Sequence, residues 1–444
     1  MSEGGDHRHI LVVGAGPAGL YAARKLVENG ARVVLLNRDI KPGGLAEYGI
    51  YFEKYRIKDG LRNQFRQIMA LPEVDYFGNI TVGNHGDLTF DELRSFGFDA
   101  ILVAAGAQGT KKLGLPGEDL KGVYHAKDIV YHYNQLPPYS KQKFAVKGRL
   151  AIVGVGNVMM DIAHWASRRL KLDEIIAVAR RGPAEVKFTV KEMEFVFANL
   201  DLGALDVEME RCTPFMKDVG QDPQKAREFI LSAAPTALLA VSGTKMRFAF
   251  LSSPTQLLGN EKGEVTGIEI EDTKLVLKGD DTKAVGLGTR RVLDVDSVVF
   301  CIGDTVDAEF GLPSQNGEFV MNPNPAYPVG GVSYEAFDPV NNRPVEGVFT
   351  VGWARLSSYG LVGLARRDAE NGAGALLEYL KSRPAGGQND AAKRLEERLR
   401  TTGKRLVSKE DILRLEAAEA EQKLKLGVED FKFATNEEML KIIG

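Results

Sequence analysis

The stretch Ile10-Leu11-Val12-Val13-Gly14-Ala15-Gly16-Pro17-Ala18-Gly19 decides the fold. Its four apolar residues read as a buried strand, its glycines as a tight turn, and the pattern from Leu20 to Asn29 as an amphipathic helix. A strand passed directly into a helix through Gly-x-Gly-x-x-Gly is the arrangement that cradles the pyrophosphate of a dinucleotide. Gly14 permits the turn, Gly16 lets backbone N–H groups approach an anion, and Gly19 allows the helix to pack closely. Pro17 and Ala18 complete the expected contact set.

Outward from this turn, the strand Arg32-Val33-Val34-Leu35-Leu36 ends on Asn37 and Arg38, where a ribose-binding carboxylate is usual. An amide can still donate and accept, and Asp39 is a fallback acid. Gly43-Gly44-Leu45 follows at a place where flavin-binding versions of this fold bring the backbone near the isoalloxazine, which favours FAD over NAD. The run Ala100 to Gly106 ends in the small residues Ala105 and Gly106, a crossover able to pass close to the same cofactor.

The pattern repeats. Arg149-Leu150-Ala151-Ile152-Val153 leads into Gly154-Val155-Gly156-Asn157-Val158-Met159, with methionine at the third small-residue position. The strand Ile175 to Ala179 then ends in Arg180-Arg181-Gly182-Pro183 instead of an acid. Two guanidinium groups at a strand end suit a 2'-phosphate, so NADP is the expected second nucleotide, with NAD as the alternative.

The class is therefore α/β, with two Rossmann-like domains and the second inserted in the first. The expected boundaries are an FAD domain over 1–108, an NAD(P) domain over 109–325 carrying a strand meander from Lys245 to Ile302, and a return to the FAD domain over 326–382. Pro384 to Gln388 reads as a linker, and 383–444 as a helical segment packed on the body through Ile412, Leu415 and Ala418.

With 444 residues, 44% of them apolar, the chain can bury a large cofactor. Its 57 basic and 60 acidic residues leave a net charge of -3, which gives no nucleic-acid signature. Cys212 and Cys301 form no CxxC dithiol and are too few for an iron–sulfur cluster; Cys301 reads as a small buried hydrophobe. No metal site is expected. No apolar run reaches membrane-span length and Met1 to Arg8 has no signal-peptide core, so a cytoplasmic location is expected.

These residues resemble the adrenodoxin reductase family, the FAD-containing ferredoxin–NADP reductases related to thioredoxin reductase and the glutamate synthase small subunit. The likeness runs through Gly14 to Gly19, Gly44-Leu45, Gly78-Asn79-Ile80, Gly156-Asn157-Val158, Arg180 to Pro183, Phe188-Thr189 with Glu192, Gly352-Trp353, Gly360-Leu361-Val362-Gly363 and Glu438-Met439-Leu440. It implies that Ala18, Leu45 and Ile80 line FAD, that Trp353 and Gly360 to Val362 face the flavin and nicotinamide rings, and that Glu192 contacts NADPH. It also implies an iron–sulfur partner such as a ferredoxin, freely diffusing or in a stable complex.

Departures from the family stand at Lys54 and Phe195, where it carries a histidine and a glutamate, and at Ser357-Ser358-Tyr359-Gly360, where it has Gly-Pro-Thr-Gly. Lys54 is accordingly the candidate catalytic group. Lys111, Lys112, Arg366 and Arg367 are candidates for steering an acidic partner. Two other readings remain open: a flavin subunit through which a 2-oxoacid or aldehyde oxidoreductase complex reduces NAD(P), and a nucleotide-binding protein without turnover.

Overall fold

A computed structural model describes residues 7–383 and 390–444. Two compact units result. Of the described residues, the first takes 7–111, 131–141 and those from 303 onward; the second takes 112–130 and 142–302.

In the first unit a six-stranded sheet runs in the order Glu335–Asp338, Arg343–Thr350, Ala100–Val103, His9–Val13, Arg32–Leu36, Val74–Phe77. The last five strands are mutually parallel, and Glu335–Asp338 pairs antiparallel at one edge. His9–Val13 lies centrally, and Ile10 to Val13 are buried on both faces, as strands of a covered parallel sheet are. The helices Pro17–Val27 and Val362–Lys381 share one core with this sheet, so the return segment completes the layer the first turn begins.

The second unit repeats the plan. Its five-stranded parallel sheet has the order Val123–His125, Ser297–Phe300, Arg149–Val153, Glu174–Val178, Lys245–Ala249. A three-stranded antiparallel sheet, Ser252–Gly259, Val265–Lys278 and Asp281–Asp294, packs Leu257, Ile268 and Ile270 into the same core. Lys245–Ala249 thus belongs to the parallel sheet, and the meander starts after it.

The second unit interrupts the first in sequence. Residues 303–325, expected in the second domain, group with the first because Asp304–Thr305 pairs with Gly109–Thr110 and Phe310, Leu312 and Phe319 enter a first-unit core. Residues 131–141 do so because Tyr131 and Leu136 pack with Tyr48. The expected linker at 384–388 lies outside the described residues. Beyond it, Ala391–Arg400, Lys409–Leu426 and Asn436–Ile443 are helical, and Leu395, Leu399, Ile412, Leu415, Met439 and Ile443 are buried in first-unit cores. Among the described residues no helix is long and apolar enough to cross a membrane.

Candidate dinucleotide sites

In the first unit, Gly14 donates its N–H to Leu36 O at 2.7 Å, closing the turn against the neighbouring strand. Gly14 has φ +107°, and a Cβ there would lie 2.4 Å from Ala104 O. A Cβ on Gly19 would meet Gly14 O at 1.8 Å. Around Gly16 the space is open: a Cβ there would have Gly44 Cα as its nearest neighbour, at 3.9 Å. Gly16 caps Pro17–Val27 with no side-chain hydrogen bond. By contrast Thr89, Asp201, Ser408 and Thr435 cap their own helices with side-chain oxygens. The amino end of Pro17–Val27 is left to an external acceptor, and the open side of Gly16 fits the pyrophosphate of a dinucleotide.

Asn37 has a different task from the expected ribose grip. It is 7% exposed; its Oδ1 accepts from Ala15 N at 3.0 Å, and its Nδ2 donates to Asp39 O and Lys41 O at 2.8 and 3.0 Å. A carboxylate could accept from Ala15 but would face two carbonyl oxygens, so the amide is the group this pocket requires. Arg38 is exposed, donating to Asp39 at 2.9 Å and to Gln108 Oε1 at 2.7 Å. Ile80 is buried with its N–H on Asn37 O, and Leu45 packs beside Tyr48. Gly106 has φ +71°, and Ala105 packs at the edge of a first-unit core.

The second turn is closed by the same bond as the first. Gly154 N donates to Val178 O at 2.9 Å, and a Cβ on Gly154 would lie 2.3 Å from Cys301 O. Nothing stands within 4 Å of a Cβ on Gly156, and no side chain caps Asn157–Trp165. Met159 is fully buried, so its larger side chain is absorbed by the unit's interior, while Val158 is 42% exposed. Asn157 Oδ1 accepts from Thr189 N at 2.9 Å and Lys187 N donates to Val155 O at 2.9 Å, tying the Phe188-Thr189 segment to the turn. Thr189 in turn caps Val190–Met193 through Glu192 N. Phe195 stacks on His164 with ring centroids 5.1 Å apart, an aromatic contact where the family has a carboxylate.

The paired arginines divide. Arg181 faces Glu185 at 3.9 Å and Asp281, at the start of the strand Asp281–Asp294, at 3.4 Å. Its backbone carbonyl accepts from Leu251 N. Arg180 accepts from Thr273 Oγ1 at 2.7 Å through its carbonyl, and its guanidinium stands exposed, with no ion pair among the described residues. Arg180 is the cation available to a phosphate.

In the return segment Gly352 has φ +65°, donates to Asp368 Oδ2 at 2.6 Å, and would place a Cβ 2.6 Å from the Cβ of Ala18. Glycine there lets the return segment touch the first helix. Trp353 Nε1 donates to Tyr359 O at 3.0 Å. Ser357 and Ser358 fix the loop in place of the family's Gly-Pro: Ser357 Oγ donates to Gly317 O at 3.0 Å, and Ser358 Oγ accepts from Asp304 N at 2.7 Å. Gly360 takes φ +79°, and Leu361 caps Val362–Lys381 without a side-chain bond. Arg366 is not a free steering charge, since it pairs with Glu370 at 2.9 Å and lies over the Tyr21 ring; Arg367 is exposed.

Lys54 caps the helix Tyr55–Met69 and is partly buried. One turn on, sequence reasoning missed Lys58. It is fully buried, donates to Asn134 Oδ1 at 2.5 Å, and burial pushes its ammonium down to about 6. The only signal was its place on the apolar stripe that also carries Phe65. Burial pushes the Cys212 thiol up to about 12, leaving it inert, whereas Cys301 is partly exposed and not the buried hydrophobe expected. Among the described residues no cluster of metal ligands occurs.

A model of the family described as pyridine nucleotide-disulphide oxidoreductase matches residues 8–192, through both glycine turns. The mitochondrial NADPH:adrenodoxin oxidoreductase of Arabidopsis thaliana is 28% identical over 406 residues, covering 84% of this chain and 82% of that protein. The NADPH-ferredoxin reductase FprA of Mycobacterium leprae is 28% identical over 422 residues, covering 87% and 86%. The solved structure of Mycobacterium tuberculosis FprA in complex with NADPH superposes with a TM-score of 0.80 at 25% identity, covering 98% of this chain and 99% of that one. Over most of its length, the chain is similar to NADPH:adrenodoxin oxidoreductases and NADPH-ferredoxin reductases.

Proposed function

We propose that this protein is an FAD-dependent oxidoreductase that passes electrons between NADPH and an iron–sulfur protein. The observation that carries it is the duplicated glycine turn. Each unit ends its central strand in a turn closed by the same hydrogen bond, with an open glycine at an uncapped helix. Relatives bearing NADPH-ferredoxin and NADPH:adrenodoxin reductase names over most of the chain support the assignment of the two nucleotides and of the partner.

FAD, when bound, supplies a ring that takes up a hydride and returns electrons singly. The chain's own residues hold and orient. Gly14, Gly16, Pro17, Ala18 and Gly19 present the amino end of a helix to the FAD pyrophosphate, with Gly44, Leu45 and Ile80 beside it. Asn37 acts from behind this turn by fixing Ala15. Gly352, Trp353 and Gly360 to Val362 provide a rigid floor, since Trp353 is hydrogen-bonded to Tyr359 and Ser358 to Asp304. Gly154, Gly156, Asn157 and Val158 receive the NADPH pyrophosphate, and Arg180 pairs with the 2'-phosphate. Glu192 is placed by Thr189 on the segment that Asn157 anchors. Hydride transfer between cofactors asks for positioning and not for an acid or base, which is why Lys54 and Phe195 can stand where the family has His and Glu.

The test is anaerobic addition of NADPH to the purified yellow protein. The flavin absorbance is expected to bleach, and colourless protein or an unchanged spectrum would reject the reading. Size-exclusion of the protein from its native source separates a diffusing ferredoxin from a fixed subunit, because a co-eluting iron–sulfur protein is expected only for the stable complex.

A further inference from the structure

The C-terminal segment reaches the first glycine turn by two separate routes, and both end on Ala15. In the first, Glu419 on the helix Lys409–Leu426 pairs with Lys41, both side chains under 10% exposed. The carbonyl of Lys41 accepts from Asn37 Nδ2 at 3.0 Å, and Asn37 Oδ1 accepts from Ala15 N at 3.0 Å. In the second, Lys432 donates to Glu47 O at 3.1 Å and pairs with Glu47 Oε1 at 3.0 Å. Glu47 lies on the short helix Gly44–Tyr48, whose cap Gly43 donates its N–H to Ala15 O at 2.7 Å. Arg62 bridges Glu47 and Asp430 at 2.5 and 2.8 Å, joining that route to the C-terminal segment a second time.

Both peptide groups of Ala15 are therefore held by residues tied to 409–444. Ala15 is the middle residue of Gly14-Ala15-Gly16, so its two peptide planes set where the N–H groups of the turn point. The ties are buried ion pairs, in which loss of one partner strands a charge and forces the other to move. A surface helix that served only to cover apolar area would not need them; Ile412 and Leu415 already supply that cover.

We propose that the C-terminal segment is a clamp on the flavin-binding turn, with Glu419 and Lys432 as positioning residues on which retention of FAD depends. The proposal rests on the reading of the first turn as an FAD site. It gives the last 36 or so residues a part in cofactor binding through residues that stand between them and the turn. Coupling between the clamp and the turn is reciprocal, so FAD bound at the turn also holds the clamp shut.

The test uses full-length holoprotein and follows flavin release by recovery of free-flavin fluorescence on dilution. Glu419→Gln and Lys432→Met are expected to release FAD about tenfold faster than wild type, or more. Lys432→Arg, which keeps the charge, is expected to restore slow release. The control is Glu416→Gln, which breaks the more exposed Arg66–Glu416 pair on the same helix and has no route to Ala15; it should stay within about twofold of wild type. A second measurement needs no variant: amide exchange in 409–433 of the wild-type chain should be slower with FAD than after flavin removal. Equal release from all four variants, or exchange in 409–433 indifferent to FAD, overturns the clamp while leaving the FAD site standing. Wild-type protein that takes up no FAD overturns the FAD reading instead.

Discussion

Replacing Lys58 by methionine should make the protein more stable, and by an amount that shrinks as pH rises. The side chain is fully buried, and among the described residues its hydrogen bond goes to Asn134 Oδ1 at 2.5 Å. Burial is the largest influence lowering its pKa, Lys432 and Arg62 add to it, and Glu47 and Asp430 oppose it. The result is a fall from 10.5 to about 6. At pH 7 the unfolded chain binds a proton at this residue that the folded chain does not, so stability rises with pH from 6 to 10.5 and the full penalty applies below 6. Holding the amine neutral at pH 7 costs 3.5 pKa units, or about 5 kcal/mol. Methionine removes that cost and strands the Asn134 amide, a loss of about 1–3 kcal/mol. The net gain is about 2–4 kcal/mol at pH 7, declining by about 1.4 kcal/mol for each pH unit above it. Urea unfolding of wild type and Lys58→Met between pH 6 and 9, followed by tryptophan and flavin fluorescence, measures both figures. A destabilised variant, or a difference between the two proteins that does not vary with pH, would refute the reasoning.

Other substitutions separate residues that the sequence groups together. Arg180→Ala is expected to weaken NADPH about 10- to 100-fold with little change for NADH, whereas Arg181→Ala, already paired with Glu185 and Asp281, should shift the NADPH to NADH ratio far less; steady-state KM values for both nucleotides decide it, and equal effects would count against the division. Gly14→Ala should yield protein without FAD, because its Cβ would press on Ala104 O, while Gly154→Ala should keep the flavin and lose NADPH binding; absorbance and NADPH titration tell these apart. Arg367→Glu should weaken ferredoxin reduction and flatten its salt dependence, leaving reduction of a neutral quinone unchanged, and a ferredoxin rate indifferent to both the substitution and salt dismisses a steering charge at that position.

Much of this architecture was legible because it is local. Gly14 to Gly19 and Gly154 to Met159 each announce strand, turn and helix within ten residues. What escaped the sequence depends on partners far along the chain. Asn37 reads as a ribose ligand until its amide is seen facing Ala15, Asp39 and Lys41. Arg180 and Arg181 look alike until the strand from Asp281 brings a carboxylate to one of them only. Lys432 meets Glu47 across most of the chain, and Lys58 sits on the apolar stripe with Phe65, a weak signal that does not by itself mark a buried amine. The domain limits shifted for the same reason: the segment after Gly303 is assigned by its pairing with Gly109–Thr110, which sequence spacing does not reveal.

The central claim is that two nucleotides held by two glycine turns connect a hydride donor to one-electron carriers. Anaerobic stopped-flow mixing of the flavoprotein with NADPH and an excess of oxidised ferredoxin tests it most directly. The account predicts bleaching of the flavin by NADPH, followed by its reoxidation as ferredoxin is reduced, with two ferredoxins consumed for each hydride by electron balance. Flavin that NADPH does not bleach, or bleached flavin that no iron–sulfur protein reoxidises, would contradict it.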